Sequence, residues 1–403
     1  MNFIDIPSFI KQHIIKREES YFLTDIKKNH SSLSNEIQGE SVLVIGGAGT
    51  IGSSYIKSIL KYKPAKLVVV DVNENGLTEL TRDLRSQHNQ YIPKDYLTYP
   101  MDFGTEVFER MFTEHLPFGI VANFAAHKHV RSEKDNFSIE AMIENNIFKA
   151  KNFLDLLCKN KPRHFFCVST DKAANPVNVM GATKKVMEEV IMSYSKDINV
   201  TTARFANVAF SNGSLLDGYI QRLFKKQPIS CPNDVKRFFV SPEESGQICM
   251  LACMLGSSGD IFFPKLDEDE LLNFKDITEI FFENSGRHVI HCKSEKEAKS
   301  LSVNLDDSEP YPVYYFKSET SGEKLYEEFY TDRDLVDMNS FSSLGVIKNS
   351  VRRPLVEIEN NLKNLKSLLK LPDCNKESIV QALKKIVPDF QHIETGVNLD
   401  QKM

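Results

Sequence analysis

The run Ser41-Val42-Leu43-Val44-Ile45, followed at once by Gly46-Gly47-Ala48-Gly49-Thr50-Ile51-Gly52, constrains this chain more than any other stretch. A short, unbroken apolar segment bounded by glycines reads as a strand buried on both faces. Beyond it, Tyr55, Ile56, Ile59 and Leu60 recur at helical spacing. Glycines between a strand and a helix allow a tight turn, and they let backbone N–H groups at a helix N-terminus approach a pyrophosphate. A second apolar run, Lys66-Leu67-Val68-Val69-Val70, ends in Asp71. That acid lies about 20 residues past the glycines, where an adenosine ribose hydroxyl is expected. The unit predicts a Rossmann-type, doubly wound parallel α/β sheet.

The expected dinucleotide contacts are Gly46, Gly49, Thr50, Ile51, Gly52, Asp71 and Asn73. An acid at position 71 disfavours a 2′-phosphate, so NAD is favoured over NADP. Arg82 and Arg85 count the other way unless the next helix leaves them in solvent. Met101-Asp102-Phe103 reads as the close of a third strand, with Asp102 accepting from the adenine amino group and Phe103 beside it. A fourth strand, Ile120-Val121-Ala122-Asn123-Phe124-Ala125-Ala126, puts Asn123, Ala125 and Ala126 against the cofactor and leads to Lys128 and His129. Residues 130–134 should line a substrate cleft. Asn146 lies inside a helical pattern where asparagine is mildly unfavourable, so it reads either as solvated or as holding a carbonyl or water beneath the site.

The apolar run His164-Phe165-Phe166-Cys167-Val168 delivers Ser169-Thr170-Asp171-Lys172 to a strand's carboxyl end, the edge where open α/β sheets bind ligands. From about Met180 a helical pattern begins, and Met180 and Lys184 share one of its faces. Another strand leads to a polar loop containing Asn207, Ser211, Asn212 and Ser214, expected to touch substrate. Arg237, beside aromatics, reads either as a bidentate clamp on a diphosphate or as a surface ion pair. Glu323 and Lys324, in a compact charged segment, are expected to close over a nucleotide. The division that follows is a helical arm (1–40), an NAD-binding domain carrying the catalytic residues (41–210), and a mixed α/β substrate region with segments returning to the core (211–350). Two C-terminal helices (351–403) complete it. The arm reads as an oligomer arm, a cover over the cleft, or helices packed on their own domain.

A net charge of -5 gives no reason to expect nucleic acid, and no apolar run reaches the ~20 residues of a membrane span. The first residues lack the pattern of a secretory signal, and seven scattered cysteines without zinc spacing fit a reducing cytoplasm. No metal site is expected. Cys249 and Cys253, one helical turn apart in an apolar segment, read as buried.

Together the segments Gly46–Gly52, NFAAHKHV from Asn123, STDKAANPVNVMGATK from Ser169, Arg204 to Ser214 and GEKLYEE from Gly322 resemble the extended short-chain dehydrogenase/reductases. Within them, they resemble the nucleotide-sugar 4,6-dehydratases of polysaccharide biosynthesis, over about two-thirds of the chain. One position departs: the tyrosine usual one turn before the helix lysine is Met180, which has no titratable proton. That exchange resembles the UDP-N-acetylglucosamine 4,6-dehydratases that retain configuration at carbon 5. The resemblance implies NAD-dependent oxidation at sugar carbon 4, loss of water across carbons 5 and 6, and hydride return to carbon 6. Thr170, Asp171, Lys172, Met180 and Lys184 become the catalytic set, with Asp171 as acid and Lys172 as base, or with those roles shared or swapped. It also implies a homodimer or higher homo-oligomer. A nucleotide-sugar 4-epimerase or oxidoreductase, or a non-catalytic NAD-binding scaffold, are the alternatives.

Overall fold

The computed structural model describes residues 4–303, 305–306, 310–318, 324, 326, 328–348, 352–394 and 396. The apolar runs become six strands: β1 (Ser41–Ile45), β2 (Lys66–Asp71), β3 (Asp95–Pro100), β4 (Ile120–Asn123), β5 (His164–Val168) and β6 (Val200–Ala203). They lie side by side in the order β3-β2-β1-β4-β5-β6, every pair parallel. All residues of β4, β5 and β6 are buried, because helices cover both faces and leave no solvent side to alternate with. Ile261–Pro264 extends the sheet in parallel beyond β6, and Leu344–Lys348 and Leu335–Asp337 add two antiparallel strands. The strand order reverses between β1 and β4, so a crevice opens at their carboxyl ends. The architecture is the expected Rossmann-type doubly wound sheet.

β3 ends earlier than the sequence suggests. It pairs with β2 only as far as Pro100 opposite Asp71, so Met101 and Asp102 lie past the ladder. Phe103 turns inward, its ring edge-on to Phe108 and Phe153.

The helix Thr50–Leu60 packs against Pro242–Leu255. Their closest approach is at Gly246, where a Cβ would lie 2.2 Å from the Ser54 carbonyl oxygen. Cys249 and Cys253 are buried on the same helix, Tyr55 Oη donates to Cys253 Sγ at 3.7 Å, and all seven cysteines are free thiols. The helix Val179–Ser193, which follows β5, is covered by the C-terminal helices Leu355–Leu369 and Lys376–Ile386. Ion pairs Lys151–Glu359 (3.0 Å) and Arg353–Glu189 (3.3 Å) pin that cover. The apolar stripes of the two C-terminal helices are thus spent within the chain.

A second, smaller core contains Phe210, Tyr219, Phe281 and Tyr311. It surrounds a three-stranded parallel sheet in the order Val289–Cys292, Tyr311–Phe316, Ile229–Pro232. The described part of the N-terminal segment divides between the two cores, with Phe9, Ile10 and Ile14 in the smaller and Phe22, Leu33 and Ile37 in the larger. Arg17 donates to Glu244 (2.8 Å) and Glu270 (3.0 Å) along the way. Asp25, fully buried, accepts from Ser342 N (2.7 Å) and Ser343 N (2.8 Å). The segment therefore lies packed on its own chain and ties the two cores together. Among the described residues no helix is long and apolar enough to cross a membrane.

Candidate active site

The glycine-rich turn after β1 has no room for side chains at Gly46, Gly47 or Gly52. Gly46 has φ +75°, and a Cβ there would sit 2.6 Å from Ala125 N; one on Gly52 would sit 2.3 Å from the Gly46 carbonyl oxygen. Gly49 is the N-cap of Thr50–Leu60. Bare backbone at a helix N-terminus is what a pyrophosphate requires. Asp71 accepts from Ala48 N (3.0 Å) and from Asn73 N (2.9 Å), so the acid is fixed against the turn. Asn73 caps the next helix through Gly76 N (2.9 Å). Asp102 accepts from Gly104 N (2.8 Å) and is ion-paired with Lys149. Asn123 Oδ1 accepts from Ala125 N (3.0 Å).

Beside this groove lies a cavity of about 1200 Å³ between the two cores. Ile51, Ala126, Lys128 and His129 line it from the side of the glycine-rich turn, and Thr170, Lys172, Met180 and Lys184 from the edge beyond β5. Asn207, Ser211, Ser214 and Arg237 line the opposite wall. Asn207-Val208 forms a two-residue strand with Phe239-Val240 rather than loop. Asn212 bridges the walls: its N–H donates to Thr50 Oγ1 (3.0 Å) and its carbonyl accepts from Lys128 Nζ (3.1 Å). Ser214 caps the helix Leu215–Phe224, and buried Arg237 donates to the Lys236 carbonyl (2.8 Å). Glu323 lies outside the described residues. Lys324 sits 3.9 Å from Glu328, which accepts from Asn175 Nδ2 (2.7 Å), so this segment reaches the loop between β5 and the following helix.

At the end of β5, Asp171 is buried and its Oδ1 accepts from Thr170 Oγ1 (2.8 Å), Lys172 N (2.8 Å) and Lys172 Nζ (3.0 Å). Lys184 is buried one turn after Met180 and donates to the Val168 carbonyl (2.7 Å); burial lowers its pKa, against the pull of Cys167 and Glu188. Asn146 occupies a π-helical turn, Glu144–Phe148, a distortion common at functional sites. It exchanges hydrogen bonds with the His127 backbone (2.9 and 3.0 Å) and donates to Thr183 Oγ1 (3.1 Å), which itself donates to the Met180 carbonyl. The extra residue of the π turn lets one amide reach both the loop after β4 and the helix of Met180.

Two carboxylates at the site were not legible as such. Glu188, one turn beyond Lys184, makes a buried bidentate pair with Arg204 (3.0 and 2.8 Å) and accepts from Ser169 Oγ (2.7 Å). Burial alone would raise its pKa, but Arg204 holds it down to about 2. Its place on the Met180–Lys184 stripe was the available signal. Glu133 is buried in a 3₁₀ turn, Val130–Glu133, and accepts from Met180 N (2.8 Å). Its charged neighbours Arg131, Lys134 and Asp135 disguise it as a solvated run.

A family model described as polysaccharide biosynthesis protein matches residues 42–349. The chain is 27% identical to an uncharacterised membrane protein, MJ1061, of Methanocaldococcus jannaschii, covering 88% of this chain and 98% of that protein. It is 26% identical to the capsular polysaccharide biosynthesis protein CapD of Staphylococcus aureus, over 83% of this chain but only 53% of CapD, so it spans about half of that relative. It is 26% identical to an inverting UDP-N-acetylglucosamine 4,6-dehydratase of Campylobacter jejuni, over 77% and 88% of the two chains. Among solved structures, Pen from Bacillus thuringiensis superimposes with TM-score 0.62 at 22% identity, covering 81% of this chain and 98% of Pen, a likeness of fold. The matched span runs from the glycine-rich turn through the strand that delivers Thr170–Lys172 to the far wall of the cavity, and on that ground the chain belongs to the polysaccharide biosynthesis protein family.

Proposed function

We propose that this protein is an NAD-dependent nucleotide-sugar 4,6-dehydratase acting on UDP-N-acetylglucosamine. The observation that carries the reading is the acid–base pair Asp171–Lys172, joined at 3.0 Å at the end of the central strand, with Lys172 and Thr170 lining the cavity and Asp171 buried directly behind them. The glycine-rich turn and Asp71 fit a dinucleotide with a free ribose 2′-hydroxyl, and NAD, when bound, supplies hydride acceptance at carbon 4 and hydride return at carbon 6. Gly46 to Gly52 would hold its pyrophosphate, Asp71 its adenosine ribose and Lys184 its nicotinamide ribose.

As it stands, Asp171 is an acceptor and Lys172 a donor, the reverse of the roles a dehydration needs. One proton moved along their shared hydrogen bond turns ammonium and carboxylate into amine and carboxylic acid. The amine of Lys172 then takes the proton from carbon 5, and Asp171 gives its proton to the departing carbon 6 oxygen. Elimination returns the pair to its starting charges, so this step exchanges no proton with solvent. Thr170, already donating to Asp171, would hold the carbon 4 oxygen. A 4-epimerase needs no acid for carbon 6, and a scaffold needs neither partner. Met180 at the tyrosine position supports the subgroup that retains configuration at carbon 5.

Asp171→Asn removes the acid while leaving an amide able to accept from Thr170. It should keep NAD bound and lower dehydration by about 100-fold or more. Turnover within a few-fold of wild type would remove Asp171 from the mechanism.

A further inference from the structure

We propose that Glu133 is a positioning residue for this reaction: ionised, it ties the turn after β4 to the first turn of the helix carrying Met180 and Lys184. The proposal rests on the dehydratase reading for its consequence, but its structural basis is independent. A helix start leaves its first N–H groups without intrahelical partners. In Val179–Ser193, Asn178 Oδ1 takes Gly181 N at 2.7 Å, while Met180 N goes to Glu133 Oε1 at 2.8 Å with Val179 N beside it. Val179, Met180 and Glu133 are all buried, so water cannot replace the carboxylate. Methionine has no hydroxyl, so beyond the packing of its side chain the polar ties of Met180 run through its backbone, to Glu133 and Thr183.

Glu133 also carries an unspent group, since among the described residues Oε2 is buried with no hydrogen-bond partner. Burial raises its pKa from 4.5 to about 7, and the two backbone N–H groups pull it down only in part. The charges acting on it from the C-terminal segment are Lys376 and Glu394, themselves ion-paired at 2.5 Å, so their fields largely offset. On its own and the neighbouring element, Arg131, Lys134, Asp135 and Glu140 are exposed. On the helix it caps, Lys184 is committed to Val168, Lys185 and Glu188 form one ion pair, and Glu189 pairs with Arg353. Above neutrality the carboxylate is a charge-assisted acceptor at a positive helix end. Below it, the carboxylic acid is a weaker one.

The test is amide hydrogen exchange of the peptide covering 178–184 in the NAD-loaded protein, as protection corrected for intrinsic rates, at pH 6 and pH 8.5. Wild type should be about tenfold better protected at the higher pH, the ratio between a charged and a neutral acceptor. Glu133→Gln, which keeps an acceptor oxygen and loses the charge, should show equal protection at both, and its kcat should lose the rise through neutrality that wild type shows while KM stays put. Should that variant not fold, Glu133→Asp, one methylene short of Met180 N, should be less protected than wild type at both pH values. Flat protection in wild type, or a wild-type pH dependence in Glu133→Gln, overturns the proposal. If the exchange behaves as expected but no nucleotide sugar is dehydrated, the dehydratase reading fails and the tie through Glu133 stands.

Discussion

Replacing Glu188 by glutamine should cost about 3–5 kcal/mol of folding stability at pH 7, the range for removing one partner of a buried ion pair. The structure gives the reasons. Arg204 is 1% exposed and holds both Glu188 oxygens, and its remaining reach goes to the Phe329 carbonyl at 2.8 Å. A neutral glutamine leaves the buried guanidinium only the more distant Asp334 carboxylate, 3.9 Å away, as a counter-charge. The depression of Glu188 from 4.5 to about 2 gives the same order, about 3 kcal/mol at 1.36 kcal/mol per tenfold. Because the folded-state pKa lies below the unfolded one, this stabilisation is complete above about 4.5 and fades as pH falls toward 2. Urea denaturation of wild type and Glu188→Gln at pH 7 and at stepped lower pH measures it. The difference in midpoint should be largest at pH 7 and shrink below pH 4.5. A cost under 1 kcal/mol at pH 7, or one that is constant down to pH 3, would refute the reasoning. The glutamine oxygen can still accept from Ser169 Oγ and Arg204 Nε, so the loss falls on Arg204 Nη2, which would face an amide NH2.

Three further outcomes follow from the geometry. Gly52→Ala sets a Cβ against the Gly46 carbonyl, so the purified protein should keep its circular dichroism but lose NAD, measured by releasing and quantifying cofactor. Asp25→Ala should destabilise by about 2–4 kcal/mol, since it strands Ser343 N and Ser343 Oγ in the interior and removes the acceptor of Ser342 N. Burial raises the Asp25 pKa, but the bonds from Ser343 and Ser342 more than offset it, so the cost seen in denaturant midpoints should fade as pH drops below 3.8. Met180→Tyr restores a titratable proton at the helix position facing the cavity, and should change either turnover or the configuration at carbon 5 of the product; neither changing would remove support for the retaining subgroup.

The sheet was legible because its strands are buried on both faces, so β1, β2, β4 and β5 stand out as apolar runs ending in glycine or polar residues. β3 was misread at its end because Met101 and Phe103 are apolar for a different reason: Phe103 belongs to an aromatic cluster beneath the sheet, past the ladder. Thr170, Asp171, Lys172 and Lys184 could be grouped from sequence because one strand end and one helix turn deliver all of them. On the far wall Asn207, Ser211 and Ser214 could be grouped as one loop, but Arg237 could not be joined to them, since it reaches that wall only through the short parallel strand pair of Asn207-Val208 with Phe239-Val240. Glu133 and Glu188 were hidden for a common reason. A charged residue in a polar or helical stretch reads as solvated, and its burial is decided by what packs on it from elsewhere. For Glu188 that partner, Arg204, stands just past the end of β6; for Glu133 it is the backbone of Met180.

The central claim is tested most directly by incubating the purified protein with UDP-N-acetylglucosamine in deuterated water, without added cofactor, and following the sugar by NMR and mass spectrometry. The account predicts loss of one water, a 4-keto or hydrated 4-keto product, and deuterium at carbon 5, with coupling constants showing the configuration retained. Unchanged UDP-N-acetylglucosamine from protein shown to hold NAD would contradict the assigned substrate, and failure across a panel of other nucleotide sugars would contradict the dehydratase itself.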